Sequence, residues 1–285
     1  MKTVRSILVT CLIVIFCTAL LCAEGTYYPG TNKGYPRRIV SLGPAVTETL
    51  FAVGAGSQVV GRTDFCNYPP EASSVASIGG FDGKTFSLET VIALKPDLVC
   101  LYTVMHDHLI EPLKKLGIAV YVSDAASVDD VISEITDIGR ITGHVSEAGT
   151  VTKRITDAVA SCSAAVSKNS NKVYWEVWNS PFMSVGNSSF IHDVIVKAGG
   201  INIFSDTSEG YPVISEESII ARNPDVIIIP SDMGYTSADI YKRAGWSSVS
   251  AVKSRKVFDI NSDIASRSGP RIYLAIEQIA SLLKD

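Results

Sequence analysis

Cysteine is scarce where it could staple a fold. Of six, Cys11, Cys17 and Cys22 fall in or at the end of an N-terminal apolar run, and Cys66, Cys100 and Cys162 are too few and too scattered for a disulfide framework. The chain must therefore stand on apolar cores, and the roughly 260 residues after the run are enough for two of them. Positive charge is not in excess either. A formal net charge of −4 excludes the basic face that a nucleic-acid partner requires. No G-x-S-x-G elbow, Walker loop or H-E-x-x-H occurs, and GAGSQVVG (54–61) misses the G-x-G-x-x-G spacing, so the chain is read as a non-enzyme. The Ser, His and Asp of SSFIHD (188–193) are neighbours only in sequence, whereas triads assemble in space. Histidine is rare too. His106 and His108 in VMHDHL are weak metal candidates because no third ligand stands beside them, and both are expected at a solvated helix start.

What the N-terminus does have is an export signal. Lys2 and Arg5 supply positive charge, Ile7 to Leu21 is a 15-residue apolar run, and Cys22-Ala23-Glu24 ends it. A spanning helix needs about 20 apolar residues, so residues 1–23 read as a signal rather than an anchor. Two cuts fit. Cys22 resembles a lipoprotein acylation site, although Leu21 stands where a small residue is usual, and a cut after Ala23 would release a soluble protein. The product is expected to be exported, either periplasmic or tethered to a membrane by lipid.

Residues 24–36 include YYPGTNKGYP and read as a flexible tether. From Arg37 on, short apolar runs alternate with helical patterns: RIVSL, DLVCLY and IAVYVS, then KVYWEVW, DVIIIP and KVFDI. That alternation predicts α/β architecture with mainly parallel sheets. Between the two sets, Ala148, Val151, Ile155, Val159, Cys162 and Val166 recur at helical spacing, which predicts one long helix over 144–168 joining a lobe at 37–143 to a lobe at 169–285. An internal repeat supports two like lobes. SLETVIALKPDLVCL (87–101) and SEESIIARNPDVIII (215–229) align without a gap, each reading as a capping Ser, a short helix, a Pro-Asp turn and a buried strand.

RRIVSLGPAVTETLFAVGAGSQVVGRTDFCNYPPEA (37–72), SLETVIALKPDLV and VIVKAGGINIF (194–204) resemble the periplasmic binding proteins for vitamin B12, haem and ferric siderophores, most of all the B12-binding branch. The resemblance implies the solute-binding component of an ABC importer, monomeric, with two α/β lobes bridged by a long helix and a solute in the cleft between them. It also implies docking on the membrane permease through one acid per lobe, Glu89 and Glu217. A first-turn acid is favoured by the helix dipole in any case. For the cleft it points to Phe65, Phe81 and Tyr102 in the first lobe and Trp178 and Tyr211 in the second, flat rings suited to a macrocycle. Asp263 and Arg267 match the branch's polar solute contacts, while Ile264 and Ala265 replace bulky aromatics there. A corrinoid is the expected solute and haem the alternative. A ferric siderophore stays open through Arg62, Arg267 and Arg271.

Overall fold

Short runs of Val, Ile and Leu without a polar face can only be inner strands of a sheet covered on both sides. In the computed structural model, which describes residues 25–80, 87–103, 105–165 and 171–284, they form two such sheets. The first half runs β1 (Thr26–Tyr28), β2 (Ile39–Ser41), α1 (Pro44–Ala52), β3 (Val59–Arg62), α2 (Leu88–Ala93), β4 (Leu98–Tyr102), α3 (Asp107–Lys115), β5 (Ala119–Ser123), α4 (Val128–Thr142) and α5 (Val145–Ala165). The second half runs β6 (Lys172–Trp175), a hairpin of β7 (Trp178–Asn179) and β8 (Phe182–Met183), α6 (Phe190–Lys197), β9 (Ile201–Asn202), α7 (Glu216–Arg222), β10 (Val226–Pro230), α8 (Ser237–Ile240), α9 (Ser250–Lys253), β11 (Val257–Ile260), α10 (Ser262–Ser266) and α11 (Ile272–Leu282).

The first sheet has the order β1-β5-β4-β2-β3, the second β11-β10-β6-β9. Every pairing in them is parallel except that of β1 with β5. Alternate residues go to opposite faces. In the first sheet Ile39, Leu98, Cys100 and Tyr121 face α4 and α5, while Val40, Val99, Leu101 and Val120 face α3 on the other side. The inner cluster does not stop at the lobe boundary. It continues through Ile138 of α4 and Ile155 of α5 to Val194 of α6 and Ile276 of α11, so α5 lies with α4 on one side and α11 on the other. Asp193 of α6 also accepts the Val128 N–H at 2.8 Å, capping α4 across the boundary.

The segment expected as a flexible tether is built into the first lobe instead. Thr26, Tyr27 and Tyr28 pair with Val122, Tyr121 and Val120, and Thr31 N donates to Gly117 O. Thr and Tyr favour strands, and β5 would otherwise present an open edge. Gly25 is required by contact: a side chain there would strike the Tyr121 ring and hydroxyl.

The repeat is a structural unit. Ser87 and Ser215 each accept a backbone N–H from the third residue on, Lys95 and Asn223 both take φ of 48°, and β4 and β10 begin at equivalent positions. The shared Asp has a shared task. Asp97 accepts the N–H groups of Arg37 and Arg38, and Asp225 that of Lys172, each pinning the chain that enters the neighbouring strand.

Candidate functional site

Parallel sheets open at the C-terminal ends of their strands, where loops diverge. A cavity of about 350 Å³ lies there between the lobes. The first lobe lines it with Gly43 to Val46 at the start of α1, Tyr102 at the end of β4, Met105, and Ser123 at the end of β5. The second contributes Ser266, Arg267 and Ser268. Tyr211 of the second lobe is outside this lining and 51% exposed. Burial of its ring first, and then the charge of Tyr102, push its hydroxyl pKa up. Phe65 and Trp178 do not line this cavity but are 57% and 43% exposed, and the Trp178 Nε1–H donates to Ser180 O at 2.7 Å. Phe81 lies outside the described residues, as does Cys22.

One side wall is an ionic clamp. Glu48, the only charge in the helix PAVTETLFA, is 2% exposed. Arg271 donates to it through Nε at 2.7 Å and Nη2 at 2.6 Å, and Arg267 through Nη1 at 2.9 Å. Arg271 also lies over the Tyr68 ring, 3.8 Å from its centroid. Burial works against the Arg271 charge, but the hydrogen bond and charge of Glu48 outweigh it and hold the guanidinium protonated. Arg267 further bonds Asn67 at 2.9 Å and Asp263 at 2.7 Å. It borders the cavity, yet both terminal nitrogens are already engaged by protein. Asp263 is not part of the lining. Ile264 and Ala265 do not thin the wall: Ala265 is buried and Ile264 packs on the core, because α10 turns that face inward. Arg62 is spent on the carbonyls of Thr63, Ala72 and Ser73.

Below Ser123 lies a buried carboxyl. Glu134 accepts from Ser123 Oγ at 2.7 Å and from Asp124 N at 2.6 Å. Burial is the main cause that raises its pKa from 4.5 to about 7; the two hydrogen bonds oppose the shift, and nearby Asp124 and Asp130 add to it. Between those pH values the folded state keeps a proton that the unfolded state has lost. Stability from this group is therefore highest below pH 4.5 and falls as pH rises through 7, by about 3 kcal/mol in all. Glu134→Gln should remove that fall, leaving the variant more stable than the parent at pH 8 in urea titrations. A parallel pH dependence of the two proteins would contradict it.

The histidines do not converge. His106 is fully buried rather than solvated, its Nδ1 accepting the Tyr102 N–H at 3.2 Å across the turn into α3, whereas His108 is exposed. Among the described residues no group of three or more His, Cys, Asp or Glu is placed to hold a metal ion.

Glu89 and Glu217 stand in the first turns of α2 and α7, which run back from the cleft end of each sheet to the next strand. Both are exposed. The Ser87 hydroxyl bonds Glu89 and lowers its pKa, and no ion pair holds either acid among the described residues. Adjacent Glu216 differs, accepting the Trp246 Nε1–H at 2.6 Å. What the sequence leaves unread is the clamp: its partners are 219 and 223 residues apart, and the only signal is one acid inside an apolar helix.

The family model described as periplasmic binding protein matches residues 39–264. An uncharacterised ABC transporter substrate-binding lipoprotein of Bacillus subtilis is 33% identical over 259 residues, 88% of this chain and 81% of its own length. A cobalamin-binding protein of Halobacterium salinarum is 30% identical over 261 residues, 88% of this chain and 70% of its own. A crystal structure of a periplasmic solute-binding protein from Staphylococcus epidermidis superposes with a TM-score of 0.77 at 28% identity, covering 88% of this chain and all of that one.

Proposed function

Since the chain belongs to the periplasmic binding protein family, as the solute-binding component of an ABC transporter and not an enzyme, we propose that its cleft captures a corrinoid and delivers it to a membrane permease. The observation that carries this reading is an interlobe cavity lined by Tyr102 and by small and apolar residues, whose one bordering arginine, Arg267, is already engaged by protein. Apolar rings with no spare cation suit a large, amide-fringed macrocycle better than an anionic chelate. Phe65 and Trp178 are exposed rings free to meet a solute larger than this cavity, and the cobalamin-binding relative points the same way. Haem is the second reading, because a phenol near the cleft floor is also a ligand for ferric iron. A ferric siderophore is third.

The test is a titration of the purified protein with cyanocobalamin, haemin and a ferric hydroxamate, following Trp fluorescence and the visible spectrum. Cobalamin should bind, and Tyr102→Ala and Tyr211→Ala should each weaken it about tenfold. Haemin binding without cobalamin binding transfers the site to haem, and binding of the hydroxamate alone transfers it to a siderophore.

Delivery in this reading runs through Glu89 and Glu217 on the permease. Export follows from the signal run, and the lipoprotein name of the Bacillus relative supports acylation of Cys22. A mass spectrum of the membrane-extracted chain distinguishes a diacylated Cys22 from a free Glu24 terminus.

A further inference from the structure

The Glu48 clamp has two sides. One faces the cleft; the other closes a second cavity of about 280 Å³ where α1, α5 and the turn into α11 meet. Phe51, Tyr68 and Tyr273 give this space flat apolar walls, Pro69 and Pro270 stiffen them, and Arg154 and Arg271 bring cations to it. The charges around the clamp do not cancel. Three guanidiniums, those of Arg154, Arg267 and Arg271, meet two carboxylates, Glu48 and Asp263, and both carboxylates are taken by Arg267 and Arg271. Arg154 has no partner among the described residues. It stands exposed on α5, one turn after Val151, which lines the same cavity.

From this we propose that the rear cavity is a second small-molecule site, selective for a planar aromatic carboxylate. A neutral ring would leave Arg154 without a counter-charge, and a bare inorganic anion would leave the rings facing water. The volume lies just under the range of about 300 to 1,000 Å³ usual for drug-sized ligands, so the occupant is one or two fused rings. The site goes beyond the transport reading and stands whatever solute the cleft takes. Glu48 and Arg271 wall the rear cavity while Arg267, bonded to the same Glu48 carboxylate, borders the cleft, so the two sides share one set of hydrogen bonds and any coupling between their occupants acts equally in both directions.

The probe is 2-naphthoate, titrated into the full mature protein by calorimetry, with 2-naphthalenemethanol and inorganic sulfate as controls. A dissociation constant on the order of 0.1 to 1 mM is expected for a ligand of this size. The neutral alcohol should bind at least about tenfold more weakly, and sulfate should give no heat. Arg154→Gln, on an exposed helix surface, should weaken naphthoate about tenfold, and Val151→Trp should abolish binding by filling the cavity. Thermal melts confirm that both variants fold. Cobalamin titrations of Arg154→Gln keep the two readings apart, since a cleft that takes no corrinoid leaves the naphthoate result untouched. Equal binding of acid and alcohol, naphthoate affinity unchanged in Arg154→Gln, or no naphthoate binding at 10 mM (about ten times the weaker expected constant) overturns the proposal.

Discussion

Replacing Glu48 by Gln is expected to lower the free energy of unfolding by about 3 to 5 kcal/mol, the largest single loss among the substitutions considered. The carboxylate is nearly inaccessible and receives three hydrogen bonds from two guanidiniums of the other lobe, whose side chains are themselves only 15% exposed. Without its charge, a neutral amide oxygen replaces the shared carboxylate, and the nearest negative charge left to the two arginines is the half-exposed Asp263, bonded to Arg267 and felt by Arg271. The cost is that of stranding cations away from water, not of losing attraction alone. This gives a sign test. In the triple variant Glu48→Leu, Arg267→Met, Arg271→Met no charge is stranded, so it should be more stable than Glu48→Gln despite losing every clamp hydrogen bond. Urea titrations with unchanged slopes would measure both. A triple variant less stable than the single would mean that the clamp's attraction exceeds its desolvation cost.

The second large effect is on transport. Reversing both exposed acids, Glu89→Arg with Glu217→Arg, should reduce solute uptake through the cognate permease on the order of 100-fold while leaving solute affinity unchanged. The repeat supplies the reason. Its Ser residues cap helices, its Asp residues pin strands, and its left-handed position ends a helix, so each of these has an internal task in both lobes. The shared Glu has no partner of that kind: beyond the helix dipole that favours any first-turn acid, only Glu89 has a bond, to its own cap. Each single reversal should fall between parent and double variant. Glu216→Arg serves as the contrast, because it breaks the Trp246 bond and should lower stability instead. Uptake that survives the double reversal would remove the docking role from these acids.

Much of the architecture is legible in the sequence because parallel strands are buried on both faces. Runs such as DLVCLY and DVIIIP carry no polar face, and the helical spacing from Ala148 onward marks α5. Strand β1 escapes that logic. Three residues beside Gly and Pro resemble a tether, and only the vacant edge of β5 makes them a strand. The site divides the same way. Tyr102 follows from its place at a strand end, whereas the solvent expected at His106 gives way to a buried turn held by a backbone N–H. Arg267 is found by resemblance, but its partner Glu48 lies in the other lobe, and no local pattern connects residues so far apart. The inward turn of Ile264 and Ala265 depends on the seating of α10, which short polar sequence does not announce.

Under the proposed acylation of Cys22, the antiparallel pairing of β1 would also set which way up the molecule hangs. Thr26 lies beside Val122 and Tyr28 beside Val120, so the chain enters the body at the cleft end, and continuing the register puts Gly25 level with Ser123 on the cavity wall. From Gly25 back to Cys22 is three residues, a reach of at most about 11 Å. A lipid on Cys22 would moor the protein on a leash of about a nanometre, mouth toward the bilayer. The first turns of α2 and α7 would then face the membrane surface with little search in depth or orientation.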